Sequence, residues 1–124
     1  MELMEKTLTS KLVYDGGLLK VHYDTVELIN GRTSWREVIR HPGAVVMVPI
    51  DDEDNIYLVR QYRYPYAKVL LEVPAGKLEY GEDHFEAAKR ELSEEIGAEA
   101  REWIPMGEML PTPGFCDELQ HVYL

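Results

Sequence analysis

Between Asp83 and Ile96 the chain leaves the short-period pattern around it and takes up a helical one. Phe85, Ala88, Leu92 and Ile96 recur at intervals of three and four residues, which predicts one apolar stripe along a helix. Asp83 is a suitable N-cap, and Glu86, three residues on, completes a capping-box pattern. Gly97 stands where a C-terminal left-handed residue belongs. A single amphipathic helix must bury its stripe against another layer, and the rest of the chain supplies strands.

Leu12 to Tyr14 and Leu18 to Ile29 read as strands, the second alternating Leu19, Val21 and Tyr23 with polar neighbours. Asn30-Gly31 is a hairpin signal, since both residues tolerate the positive φ of a two-residue turn, and Thr33 to Arg40 is the return strand. The continuous apolar run Ala44 to Ile50 suits a strand buried on both faces. Ile56 to Tyr62 follows the polar turn Asp51 to Asn55, and Val69 to Val73 is a short strand stopped by Pro74. Trp103 to Leu110 and Leu119 to Leu124 are two more, separated by the turn-prone Pro111-Thr112-Pro113-Gly114. Neither a repeat nor a low-complexity linker interrupts the chain. The expected class is α+β, with an N-terminal antiparallel β subdomain over 1–42 and the helix-bearing part over 43–124.

Composition narrows function by exclusion. Acidic residues number 23 against 13 basic, a formal charge of −10, which is the wrong footprint for a nucleic-acid binder or a domain held on anionic lipid. Such a balance either serves solubility alone or includes carboxylates clustered for metal. No apolar run approaches the roughly 20 residues that span a bilayer, and the first eleven residues, MELMEKTLTSK, have no apolar core of a signal peptide. The single cysteine, Cys116, forms no internal disulfide, so a cytoplasmic protein is expected. The last residues, His121 to Leu124, alternate like a strand still in progress, and a truncated C-terminus is expected.

On the helix, an advance of about 100° per residue projects Glu91 and Glu95 together beside the apolar stripe. Glu94 lies about a quarter turn further, and Arg90 is four residues before it. On an ordinary solvated face, Glu–Arg pairs contribute a few tenths of a kcal/mol each, but like charges at this spacing repel and weaken the helix. A divalent cation among them would resolve that, because hard ions such as Mg²⁺ take carboxylate oxygens together with substrate phosphates.

The wider spacing is more specific. Gly76, then five residues, Glu82, then seven, and Arg90-Glu91-Leu92-Ser93-Glu94-Glu95-Ile96-Gly97-Ala98 resembles the Nudix box G-x5-E-x7-R-E-U-x-E-E-x-G-U at every position, with a small Ala98 in the last. The resemblance implies a Nudix-type α/β/α sandwich with a mixed sheet and hydrolysis of a diphosphate linked to another moiety. It implies that Glu91 and Glu95 are the principal metal ligands, with Glu94 ligating directly or through water and the carbonyl of Ala75 contributing. Arg90 and Glu82 are similar to the family's pair that orients the ligating carboxylates. Two or three Mg²⁺ ions, with Mn²⁺ as a substitute, are the implied cofactors.

Outside the box the resemblance points to the ADP-ribose pyrophosphatase branch. Glu72-Val73-Pro74-Ala75-Gly76-Lys77-Leu78-Glu79 is similar to its E-x-P-A-G-x-x-E lead-in. Pro113-Gly114-Phe115-Cys116-Asp117-Glu118 resembles its S-P-G-F-S-D-E segment, with Thr112 and Cys116 where serine is usual. The implied reaction is hydrolysis of ADP-ribose to AMP and ribose 5-phosphate, and the implied ligand contacts include Leu78, Pro113 and Gly114. Arg63 resembles the branch's arginine that reaches the diphosphate, though a strand-end surface arginine is an equal reading of the residue itself. Trp35 corresponds to an aromatic that stacks on adenine in some relatives; on the sequence alone a partly buried core tryptophan is the simpler reading. Arg36 and Arg40 contact ribose or phosphate, or simply flank the sheet. In this branch the N-terminal sheet is exchanged across a homodimer, which would carry these residues to the partner's site.

His41 and His84 read as a loop and a helix-surface histidine, and Tyr62, Tyr64 and Tyr66 as strand or loop positions without basic interleaving. The general base of this branch is a glutamate on a later loop, so it is expected beyond residue 124, with Glu118 or a box glutamate as substitutes. Another nucleoside diphosphate sugar such as GDP-mannose is the alternative substrate. A non-catalytic ligand sensor would have lost box carboxylates and gained a DNA-binding domain, and neither is seen in the sequence.

Overall fold

A computed structural model describes residues 3–124. Nine strands and one helix follow in the order β1 (Lys6–Asp15), β2 (Lys20–Glu27), β3 (Thr33–Arg40), β4 (Ala44–Met47), β5 (Val59–Arg63), β6 (Lys68–Glu72), β7 (Ala75–Lys77), α1 (His84–Ile96), β8 (Pro105–Met109) and β9 (Gln120–Tyr123). The chain divides into two compact units. One holds the residues up to His41 together with Leu110–Glu118, the other Pro42–Met109 with Leu119–Leu124. The segment 110–118, expected with the helix-bearing part, thus falls in the N-terminal unit.

In the N-terminal unit β1, β2 and β3 form an antiparallel sheet in sequence order. The β2–β3 connection departs from the two-residue turn expected of Asn30-Gly31. The Gly31 N–H bonds the Leu28 carbonyl, the Leu28 N–H bonds the Arg32 carbonyl, and only Gly31 takes positive φ, at 83°. This is the three-residue solution, in which a turn is followed by one left-handed glycine. Asn30 is spared that strain and accepts the Arg32 N–H through its side chain at 3.0 Å. The 110–118 segment docks on the free edge of β3: the Ile39 N–H bonds the Phe115 carbonyl, and the Asp117 N–H bonds the Ile39 carbonyl.

The second unit is built on a mixed sheet in the order β7-β4-β9-β8, with β4 antiparallel to β7 and parallel to β9. Every residue of β4 is buried, as its unbroken apolar run predicts. Helix α1 packs across β4 and β7. Ala87, Ala88 and Leu92 bury fully against Val45, Met47, Leu78 and Tyr123, while Phe85, Ile96 and Trp103 close the rim. Burying a leucine such as Leu92 contributes about 1.5–3 kcal/mol, and that side chain holds the helix at its middle turn. Both helix ends form as expected: Asp83 accepts the Glu86 N–H at 2.9 Å, and Gly97 turns left-handed at φ 67°. Strands β5 and β6 pair as a separate hairpin whose tip is a single 3-10 turn, Tyr64–Tyr66. Among the described residues there is one helix, so the layer it forms covers one face of the mixed sheet. None there is long and apolar enough to cross a membrane.

Candidate active site

Arg90 organises the acidic end of α1. Its Nη1 donates to Glu82 Oε2, its Nη2 lies 3.3 Å from Glu91 Oε1, and its Nε stands 3.8 Å from Glu94 Oε1. Glu82 is fixed a second time, because its Oε1 accepts the Glu79 N–H at 3.1 Å. Arg90, helped by that N–H, holds the Glu82 carboxyl below the usual carboxylate range. Glu82 first and Glu91 second push the guanidinium well above its ordinary value. Each partner stabilises the charged form of the other, as opposite charges at hydrogen-bond distance do.

Glu91 is drawn inward by the strand beside it. Gly76 pairs with Val45 across β7 and β4, and its missing side chain leaves the space that Glu91 fills. A Cβ at Gly76 would lie 2.2 Å from Glu91 Cδ and 2.6 Å from its Oε2. Glu91 is thereby only 16 % exposed, and Arg90 supplies the partner that a half-buried carboxylate requires. Glu94 is 61 % exposed and Glu95 lies on the open surface of the helix. The ridge of paired Glu91 and Glu95 expected from helical spacing is therefore split by burial.

A divalent ion fits this donor set without being preformed in it. Among the described residues no three Asp, Glu, His or Cys side chains converge on one point. Electrostatics explains the spread: carboxylates separate unless a cation lies among them, and here Arg90 has taken Glu91. The donors are nevertheless hard oxygens, three carboxylates within five residues, and Glu91 lies in the cradle of a glycine directly preceded in β7 by Ala75.

Two other candidates of this unit are already engaged. Arg63 closes a fork on Glu72, with Nε 2.7 Å from Oε2 and Nη2 2.5 Å from Oε1, so the fork expected to clasp two phosphates is filled by protein. That hydrogen bond holds Glu72 below the usual carboxylate range. Leu78, expected as a ligand contact, is 5 % exposed and belongs to the core beneath α1, where packing accounts for it. His84 is corrected too. It is half-buried, stacked on His121 at 3.8 Å between ring centroids, and bonded through Nδ1 to the Tyr123 hydroxyl.

The candidates of the N-terminal unit gather on β3 and its docked loop. Trp35 is no core residue: it is 56 % exposed, lies parallel to Tyr23 at 6.2 Å, and offers its indole to solvent. Arg36 is bound in a fork by Glu5 at 3.1 and 2.6 Å and donates to the Trp35 carbonyl at 2.7 Å. Arg40 lies between the buried Asp24 at 3.7 Å and Asp117 at 3.4 Å. Asp117 also accepts the His41 N–H at 2.7 Å, so it ties the loop bearing Pro113 and Gly114 to β3. Pro113 and Gly114 themselves sit exposed at that loop's turn. Sequence reasoning missed Glu72, Asp24 and Asp117 as partners. None had a local signal: even on the β5–β6 hairpin the register sets Arg63 opposite Lys68 and Glu72 opposite Val59, so their ion pair is not a cross-strand neighbour pair.

The NUDIX domain model matches residues 40–124. Over 120 residues the chain is 46 % identical to a methanol dehydrogenase activator of Bacillus methanolicus, covering 97 % of this chain and 65 % of that protein. Over 122 residues it is 41 % identical to an ADP-ribose pyrophosphatase of Bacillus subtilis (strain 168), covering 98 % of this chain and 66 % of that one. Among solved structures it is similar to an ADP compounds hydrolase, with a TM-score of 0.88 at 28 % identity, covering 99 % of this chain and 68 % of that chain. This chain spans slightly under two thirds of the length of the two sequence relatives. A box glycine vacated for a glutamate, and an arginine that binds the carboxylates around it, are what the box spacing leads one to look for. With the domain match, they place the chain in the Nudix family.

Proposed function

We propose that the protein is a metal-dependent Nudix pyrophosphohydrolase that cleaves the diphosphate of ADP-ribose to AMP and ribose 5-phosphate. The observation that carries this reading is Arg90 binding Glu82 and Glu91 while Glu91 lies in the cradle of Gly76. Glu91, Glu94 and Glu95, with the Ala75 carbonyl, would hold Mg²⁺, or Mn²⁺ in its place. When bound, such an ion neutralises charge at diphosphate oxygens and lowers the pKa of water. Arg90 and Glu82 do the positioning: a carboxylate pinned at both ends loses little rotational freedom when a ligand arrives. Arg63 supplies fixed positive charge toward a diphosphate.

Trp35 is the proposed adenine platform, because an exposed indole backed by Tyr23 presents an apolar face without reorganisation. Pro113 and Gly114 complete that side, on a loop locked to the same strand. Every residue of β1 is exposed although it carries Leu8, Leu12, Val13 and Tyr14, which supports a homodimer in which this sheet is shared or exchanged. The reading places the protein in the cytoplasm.

The test is kcat/KM for ADP-ribose and for GDP-mannose with Mg²⁺. A preference for ADP-ribose of tenfold or more is expected, and the reverse preference removes the substrate assignment. Unchanged turnover in Glu95→Gln would remove the metal assignment, and a monomer in sedimentation at micromolar concentration would remove the dimer.

A further inference from the structure

We propose that Glu72 is a positioning residue: it clamps Arg63 by Nε and Nη2, so that only the Nη1 edge is offered to a diphosphate oxygen. The inference rests on the pyrophosphohydrolase reading for its ligand, but not for its geometry.

Three observations carry it. Both oxygens of Glu72 are used on two adjacent donors of one guanidinium, a planar match that fixes the plane of Arg63 as well as its distance. Among the described residues Nη1 has no hydrogen-bond partner, so one edge remains for a ligand. Glu72 also ends β6 only three residues before Ala75 opens β7, so the clamp is joined by a short stretch of chain to the strand whose glycine receives Glu91. Glu95 adds to the basicity of Arg63, behind the larger effect of Glu72.

An ion pair that merely ties the β5–β6 hairpin would look similar in a static view but would behave differently. A surface pair that contributes only to stability adds little, and its removal leaves chemistry alone. A clamp has no use without the residue it aims. Loss of Glu72 should then cost nothing further once Arg63 is gone.

The experiment is a double-mutant cycle in the full chain, using Arg63→Ala, Glu72→Ala and the double variant. It is read by kcat/KM for ADP-ribose and by exchange of the Arg63 Nε–H in ¹⁵N spectra, assigned through its loss in Arg63→Ala. We expect each single variant to lose tenfold or more in kcat/KM and the double variant to match Arg63→Ala within twofold. Glu72→Gln, which keeps one acceptor oxygen and the shape of the side chain, should fall between wild type and Glu72→Ala. Exchange of Nε–H should quicken tenfold or more in Glu72→Ala. Multiplicative losses in the double variant, or unchanged exchange in Glu72→Ala, would overturn the proposal. If the wild type does not turn over ADP-ribose, the substrate reading fails, and the exchange measurement still decides whether Glu72 holds Arg63.

Discussion

The side chain of Glu91 occupies the place where Gly76 would carry a Cβ, with Cδ 2.2 Å and Oε2 2.6 Å from that position. The two residues are far apart in sequence and belong to different elements, β7 and α1. Their contact locks helix to strand through a charged group, and Arg90 supplies the compensation on the helix side. The glycine is therefore required by close approach, and its φ is not among the positive ones.

Gly76→Ala tests this directly. Separations near 2.2 Å are far inside contact distance, so Glu91 must leave the cradle or β7 must shift. The expected outcome is a hundredfold or greater loss of hydrolysis, with the helical circular-dichroism signal retained. Metal titration of the variant should show weakened binding. Activity within twofold of wild type would mean that Glu91 functions equally well elsewhere.

The Arg90–Glu82 pair carries a pH signature. Glu82 has its folded pKa depressed by Arg90 below the ordinary 4.5. A group depressed in the folded state stabilises above its unfolded pKa, and that contribution is lost as pH falls through the folded value. Urea midpoints should therefore decline as pH drops below about 4.5. Glu72, held down by Arg63, acts in the same direction. In Glu82→Gln the decline should be shallower, while kcat at neutral pH falls tenfold or more because Glu91 loses its fixed neighbour. An identical acid limb in the variant would show that Glu82 is not linked to folding.

How much of this was legible beforehand depended on distance in sequence. Local signals succeeded: the cap at Asp83, the left-handed Gly97, the stripe of Ala88 and Leu92, and the doubly buried β4 all follow from residues within a few positions of one another. Strand β7 escaped notice because Ala75-Gly76-Lys77 has little strand propensity and follows a proline; its pairing with β4 is what makes it a strand. The box spacing named Arg90 and Glu82 as a pair, but not the burial of Glu91, which depends on where Gly76 is placed by the sheet. Arg36, Arg40 and Arg63 were visible as charges, whereas their carboxylate partners, up to 77 residues away, were set by tertiary pairing. Trp35 misled because size argues for burial, while β3 presents that position outward.

Trp35 offers a separation of binding from chemistry. As the proposed adenine platform it would bind the ligand and take no part in the hydrolytic step, so Trp35→Ala should raise KM for ADP-ribose about tenfold, the effect of roughly 1.4 kcal/mol, and leave kcat within threefold. Trp35→Phe keeps an aromatic face and should recover most of the loss. A fall in kcat with unchanged KM would move Trp35 out of the proposed ligand platform.

The stacked His84–His121 pair predicts a second pH limb, opposite in origin to that of Glu82. Burial first, and His84 second, hold His121 below its ordinary 6.5, against a weaker pull upward from Glu108. Below 6.5 the unfolded chain takes up a proton that folded His121 refuses. Stability is therefore complete above that pH and falls as pH drops toward the folded value. Tyr123 lies in the same cluster and is shifted above its ordinary 10 by burial, then by Asp83. The folded state keeps a proton there that the unfolded chain releases, so stability also declines as pH rises past about 10. Thermal midpoints measured from pH 5 to pH 7 should slope upward in the wild type. In His121→Phe, where a ring remains to stack on His84 without a titrating nitrogen, that slope should be markedly reduced. A slope of equal size in the variant would assign this limb to another group.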